Sequence, residues 1–403
     1  MIALLRSASK DQRRVLLAAQ LGWMLDGMDA LLYSFALAGI QREFGMTSAQ
    51  AGLLSSIPLV TGAMGGALAG YLADRYGRAR VLVWSILVYS LFTGLTATAR
   101  NPFEMGLWRA LMGFGLGAEW SAGSVLVAES WPTASRGKAV GFVQSGWALG
   151  YILAALLAGS VIPRYGWRAL FVCGVLPALV TVWIRRAVPE PAVWRVSAQR
   201  PDLSILITPR IARPLIVATA VCTSLLFAYW GLFTWIPAYL ATPLARGGAG
   251  MSVVKSAAWV VPMQLGSFAG YNLFGIFADR FGRRPTFLTF VLGAAVLVPI
   301  YGLAGANPTL LMALGPFIGF FGHGYFSLFG AMLAELFPSS IRATAQGIAY
   351  NAGKAVSAFA PWTIGAIADT RGIGTALGFT SAFFVLGAAL IFLLPETKGE
   401  ELQ

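Results

Sequence analysis

Apolar stretches of about 20 residues, each long enough to cross the hydrocarbon core of a bilayer as a helix, recur along nearly the whole chain. Nothing else constrains its folding as much. A backbone inside lipid must satisfy its own hydrogen bonds, which leaves only helices and closed barrels. Runs of this length select helices. Twelve spans are expected, at about 15–38, 52–73, 80–99, 104–128, 138–161, 167–187, 214–240, 256–278, 285–305, 309–336, 344–368 and 374–394. Of the 403 residues, 57% are hydrophobic and 11% charged, against roughly a quarter charged in soluble domains. The remaining loops are short and leave no room for a separate soluble domain.

The formal charge of +13 has a simple source in basic loops held on one side of a membrane. With the N-terminus inside, Arg42, Arg100, Arg164, Arg168, Arg246, Lys255 and Arg371 fall outside, Arg109 and Lys354 lie within spans, and the rest fall inside. Both termini are therefore expected in the cytoplasm, in a multi-pass plasma (inner) membrane protein that works as a monomer. No basic block interleaved with aromatics marks a nucleic-acid surface. Cys173 and Cys222 sit in apolar segments and build no disulfide framework. One histidine, His323, leaves no imidazole pair for zinc, and no cofactor is expected. The short basic front before the first span lacks a small-residue cleavage pattern, so that span is expected to stay.

The chain repeats itself at half its length. Gly70-Tyr71-Leu72-Ala73-Asp74-Arg75-Tyr76-Gly77-Arg78 returns as Gly275-Ile276-Phe277-Ala278-Asp279-Arg280-Phe281-Gly282-Arg283. Glu129-Ser130-Trp131-Pro132 with Arg136 returns as Glu335-Leu336-Phe337-Pro338 with Arg342. Val188-Pro189-Glu190 returns as Leu394-Pro395-Glu396. The offsets are 205, 206 and 206, so three features share one period. The expected fold is an all-α membrane protein with twelve transmembrane helices in two pseudo-symmetric six-helix bundles. These comprise residues 1–190 and 214–403, joined by a polar cytoplasmic linker, 191–213.

Gly-x-x-Ala-Asp-Arg-x-Gly-Arg between the second and third spans of each half resembles the signature loop of the major facilitator superfamily. The resemblance implies a central cavity between two bundles that opens alternately to either side. A carboxylate at a helix end, followed by Arg and Gly, can latch neighbouring helix ends through charge-assisted hydrogen bonds. Asp74, Arg75 and Arg78 with Glu129 and Arg136, and Asp279, Arg280 and Arg283 with Glu335 and Arg342, form the expected gating scaffold. More narrowly, Gly22-Trp23-Met24-Leu25-Asp26-Gly27-Met28-Asp29, the run from Arg109 to Trp120, and Gly166-Trp167-Arg168 resemble the sialate- and lactate-type proton symporters. The aromatic-acid proton symporters are similar in their Asp-Gly-x-Asp. Gly141, Gly146 and Gly150 in the fifth span lack the adjoining proline typical of drug antiporters, which disfavours efflux.

Charges inside a bilayer cost about 2.5 to 3.5 kcal/mol each on insertion scales and are rarely idle. Asp26, Asp29 and Tyr33 are spaced along one face of the first span. The fourth span runs antiparallel, so Asp29 is expected to reach Arg109, as a proton switch or as a static ion pair. Glu119 is a second proton site or part of the same cluster, and Trp120 beside it lines the cavity. In the eleventh span Asn351 and Lys354 put an amide and an ammonium on one face, suited to an anionic substrate, unless Lys354 snorkels or pairs across the halves. His323 and Tyr325 are cavity contacts or packing residues. Glycines 62, 66, 70, 113 and 117 form small-residue faces for helix approach.

Together these residues point to symport of a small organic anion, a monocarboxylate or acidic sugar, with a proton. A sugar-type facilitator or exporter is the alternative on the same fold. An enzyme or a non-transporting sensor would need a catalytic cluster or a signalling domain, and neither motif is present.

Overall fold

The structure, a computed structural model, describes residues 8–76, 78–130, 133–179, 203–327, 332–333, 336–337 and 341–396. Every regular element among them is a helix. In chain order these are α1 (Lys10–Phe44), α2 (Ser48–Tyr76), α3 (Arg78–Thr96), α4 (Pro102–Ser130), α5 (Thr133–Cys173), α6 (Pro209–Phe233), α7 (Ile236–Ala241), α8 (Val253–Phe281), α9 (Arg283–Leu303), α10 (Pro308–Gly324), α11 (Arg342–Ser357), α12 (Ala360–Arg371) and α13 (Ile373–Leu390). Five segments are individually long and apolar enough to cross a membrane: Gln12–Phe44, Gly141–Leu179, Pro209–Ala241, Arg283–Leu303 and Ile373–Leu393.

Helix ends follow local chemistry. Ser9 opens α1 with a capping box, its side chain accepting from the Gln12 amide while the Gln12 side chain accepts from the Ser9 amide. Gly45 closes it in the left-handed region, at φ 62°, where a Cβ would be strained. Asn307 caps α10 just before Pro308, the placement that costs no hydrogen bond. The helices overrun the expected spans because hydropathy marks only the apolar middle of each. The 35 residues of α1 rise roughly 52 Å, well beyond a core of about 30 Å.

The breaks were less visible in the sequence. The fifth and sixth spans are continuous through Arg164 and turn at Gly166, whose φ of 76° and ψ of 177° suit only glycine. The seventh span begins at Pro209 rather than 214 and breaks between α6 and α7 at Thr234 and Trp235. The eleventh breaks between α11 and α12. The end of the sixth span and residues 191–202 of the expected linker lie outside the described residues.

The repeat is structural as well as sequential. Moving α2 along the chain by 206 residues gives 254–282, against the observed Val253–Phe281 of α8. Moving α3 gives 284–302, against Arg283–Leu303 of α9. In the N-terminal part α2 packs on α4, α1 on α5 and α3 on α4; in the C-terminal part α8 packs on α10, α9 on α13 and α6 on α11. The two parts meet along α5 with α8 and along α2 with α11 and α12. The glycine faces work as expected: a Cβ at Gly117 would collide with the Gly62 carbonyl, and one at Gly66 would lie 2.9 Å from the Gly117 carbonyl oxygen.

One end of the seam between the two parts is closed. There the Asp369 carboxylate, from the last turns of α12, accepts hydrogen bonds from the backbone amides of Ser48 and Ala49, both at 2.9 Å. It thereby caps the first turn of α2 on the opposite side. Beneath it, Gly52 lies against the Pro361 carbonyl and Gly365 against that of Ser48, so the two backbones touch.

Candidate functional site

Behind that closed end the seam widens into a cavity lined by both parts of the chain. Trp23, Asp26, Ala30, Tyr33 and Ser34 come from α1; Ser55, Pro58 and Leu59 from α2; Arg109, Met112 and Leu116 from α4; Gln144 and Trp147 from α5. Across from them stand Leu226, Tyr229, Trp230, Thr234, Tyr271, Phe326, Tyr350 and Lys354.

Aromatic rings make much of the wall. Trp147 lies 4.9 Å from Trp23 and 6.0 Å from Trp230, centroid to centroid. Its indole nitrogen donates to the Tyr229 hydroxyl at 2.5 Å, a bond between the two parts. The Tyr151 hydroxyl donates to the Phe233 carbonyl at 2.8 Å, a second such bond. Spacing alone did not single out Trp23, Trp147 or Tyr151. Tryptophans with one apolar face and one donor are the usual signal for such a wall, but the sequence has 13 of them.

Three ionisable side chains line this space. Asp26 is 4% exposed, and its Oδ1 has no hydrogen-bond partner among the described residues. Lys354 reaches across from α11 until its Nζ stands 3.6 Å from where a Cβ on Gly62 would be. Lys354 and Asp26 are near enough for each charge to act on the other, yet among the described residues they form no ion pair. The third is Arg109, 3% exposed. Its guanidinium lies over the Tyr33 ring, 3.8 Å from the centroid, and its Nε donates to the Leu54 carbonyl at 2.8 Å. The ring is itself anchored, because the Tyr33 hydroxyl donates to the Ala51 carbonyl at 2.9 Å. A stacked, desolvated cation–π contact contributes about 2 kcal/mol.

The expected Asp29–Arg109 pair is not formed in this conformation. Asp29 accepts a 2.6 Å hydrogen bond from Thr93 on α3, and its other oxygen has no partner among the described residues. One turn further along α1, the Tyr33 ring stacks on the face of the guanidinium. Asp29 is buried behind the cavity wall, not in it.

Other expected site residues are dispersed. Asn351 turns its amide back onto its own helix, donating to the Gly347 carbonyl at 3.0 Å, and does not line the cavity with Lys354. His323 is fully buried behind Tyr229 and Tyr271, with ring centroids at 5.1 and 5.8 Å. Its Nδ1 is shared with Ser267 Oγ and the Gly319 carbonyl. Tyr325 is buried against Phe326, 4.7 Å away, and Phe326 rather than Tyr325 meets the cavity. The side chains of Glu119 and Trp120 lie outside the described residues, as do those of Asp74, Arg75, Arg78, Glu129, Arg136, Asp279 and Arg342, and all of Glu335. Within the gating set, Arg280 is exposed over the Phe281 ring at 5.3 Å. The backbone amide of Arg283 donates to Glu396 Oε1, and that of Arg284 to Oε2, both at 2.9 Å. The acid on the first turn of α9 is thus Glu396 of the repeated Leu-Pro-Glu, which the sequence marked as a repeat but not as a cap.

With this geometry in view, the chain can be compared with known proteins. Residues 20–271 match the model of the Major Facilitator Superfamily, and 273–403 match that of the Sugar (and other) transporter family. The chain is 36% identical to a probable 4-methylmuconolactone transporter of Cupriavidus pinatubonensis, over 99% of this chain and 94% of that protein. It is 33% identical to the cis,cis-muconate transport protein of Acinetobacter baylyi, over 99% and 98%. Its fold resembles the partially occluded inward-open xylose transporter of Escherichia coli, with a TM-score of 0.79 at 20% identity, covering 98% of this chain and 100% of the other.

Proposed function

Because the chain belongs to the Major Facilitator Superfamily and is a multi-pass membrane transporter rather than an enzyme, we propose that it carries a small organic anion together with a proton. The observation that carries the proposal is Lys354: an ammonium in an aromatic-walled cavity, with no protein ion pair among the described residues. A cation removed from water and left unpaired is costly, and an anionic substrate offsets that cost in the loaded state. Asp26, whose charge Lys354 feels, is the proton carrier facing the cavity, with Asp29 behind it and Glu119 as a further acid. Within charge range of Arg109, Asp29 can take up or release its proton as the guanidinium moves.

Substrate crosses by alternating access, in which the two bundles, 1–190 and 214–403, rock about the cavity. The distribution of Lys and Arg puts both termini in the cytoplasm of an inner-membrane protein. The Asp369 end is then the outer one, closed here, and the acid–arginine loops at 74–78 and 279–283 are cytoplasmic gates. The wall favours planar unsaturated acids over acidic sugars. Its described lining holds seven tryptophan or tyrosine rings and one carboxamide, Gln144, whereas a sugar needs many polar partners. The muconolactone and muconate carriers among the relatives support the same class.

A thermal-shift panel on purified protein, with unsaturated monocarboxylates, sialic acid and neutral sugars, tests the proposal when repeated on Lys354→Ala. Stabilisation by carboxylates that disappears in the variant is expected. A neutral sugar stabilising both proteins equally would overturn it.

A further inference from the structure

Arg109 offers the cavity a second positive charge, and among the described residues it forms no ion pair. Only its Nε is hydrogen-bonded, to the Leu54 carbonyl. Among the described residues Nη1 and Nη2 have no hydrogen bond and the guanidinium has no ion pair, although the side chain is almost wholly buried and forms part of the cavity wall. The Tyr33 ring fixes the guanidinium plane without consuming its terminal donors. Such a fork is pre-organised for two parallel hydrogen bonds to one carboxylate.

The second cation, Lys354, lies at a defined distance along the same helix. Arg109 is tied to α2 at Leu54, and Lys354 stands beside α2 at Gly62. Eight residues of helix separate those levels, roughly 12 Å of rise. The α2 residues that line the cavity between them are Ser55, Pro58 and Leu59, two of the three apolar. From the closed end inward, the wall therefore reads guanidinium, apolar surface, ammonium.

We infer that the site takes an elongated unsaturated dicarboxylate, one carboxylate held by the Arg109 fork and the other by Lys354, with the hydrocarbon chain against Pro58 and Leu59. This rests on the anion reading above and adds to it a second anchor and a required ligand length. The two anchors belong to opposite halves of the repeat, α4 and α11. A diacid that engages both stabilises the conformation that sets them at this spacing, whereas a monoacid engages one and exerts no such pull. Arg109 thereby decides which acids the carrier accepts.

The test compares two ligands that differ in one carboxylate: trans,trans-muconate, and sorbate, the same six-carbon diene with a single acid group. Each is titrated at neutral pH into the full chain in lipid nanodiscs, following tryptophan fluorescence from the cavity wall. A second charge-assisted contact is worth a factor of roughly ten to a hundred in affinity, so muconate is expected to bind wild type at least that much more tightly. In Arg109→Gln, muconate should fall to the affinity of sorbate, with sorbate little changed. In Lys354→Gln both should weaken. Equal binding of the two acids by wild type, which needs no variant, overturns the inference while leaving anion transport intact. So does an Arg109→Gln variant that weakens both acids alike. Where Arg109→Gln does not yield folded protein, Arg109→Lys keeps the charge without the fork, and part of the preference for muconate should survive; its complete loss while sorbate binding also collapses would count against the inference. Failure of both acids to bind wild type removes the underlying anion reading as well.

Discussion

Replacing Asp369 with alanine removes the one described side chain that ties the first turn of α2 to α12 across the seam. The carboxylate accepts from two amides, Ser48 and Ala49, at 2.9 Å each. Loss of an N-capping acceptor costs about 0.5–2 kcal/mol, and loss of a negative charge at a helix N-terminus about 0.3–1 kcal/mol. The two overlap, because the same oxygens supply both, and Asp369 is solvent-exposed. A total of about 1–2 kcal/mol is therefore expected, a shift of roughly 5- to 30-fold in any equilibrium in which the contact exists on one side only. The assay is a distance distribution between spin labels at Phe103 on α4 and Leu244 beyond α7, both exposed, after Cys173 and Cys222 are replaced by serine. The population with the Asp369 end open should rise by that factor in Asp369→Ala. Asp369→Asn, which keeps one acceptor oxygen, should fall between. Identical distributions in wild type and Asp369→Ala would refute the latch.

Three further outcomes are expected. Tyr33→Leu removes the platform of Arg109 and the hydroxyl bond to Ala51; about 2 kcal/mol of stability should be lost, seen as a lower thermal midpoint of the purified protein. Gly117→Ala places a methyl on the Gly62 carbonyl, whereas a Cβ at Gly141 meets nothing within 4 Å. Size-exclusion profiles should show the first variant destabilised by about 1–3 kcal/mol and Gly141→Ala close to wild type. Glu43→Gln breaks the ion pair with Arg168, whose partners are 41% and 42% exposed. Less than about 1 kcal/mol should follow, so a large fall in thermal midpoint would show that this corner does more than is described.

The fold was legible because bilayer length and repeat period act on long stretches of sequence. The apolar runs overlap every described α-helix, and the shared offset anticipated the matching of α2 with α8. Local breaks at Gly166 and Trp235 were not legible, since a single backbone angle leaves no periodic trace. At the site, residue types were readable and partners were not. Asp29, Tyr33 and Arg109 come from one neighbourhood, but spacing cannot say that Thr93 takes the carboxylate and Tyr33 the cation. Lys354 lines the cavity. Asn351, three residues before it, satisfies itself within one turn, the usual competition between a short amide side chain and a distant ligand. Asp369 gains its meaning from an amide pair over 300 residues away in the chain. No local pattern encodes that contact.

Uptake into proteoliposomes driven by an imposed inward proton gradient bears most directly on coupled anion transport. With a labelled carboxylate from the binding panel outside acidified vesicles' exterior and an alkaline lumen, wild type should concentrate the acid above equilibrium. Lys354→Gln should transport little, and Asp26→Asn should lose concentration against the gradient. Uptake that merely equilibrates, at the same level with and without the proton gradient and unchanged in Asp26→Asn, would contradict proton-coupled carriage of an anion.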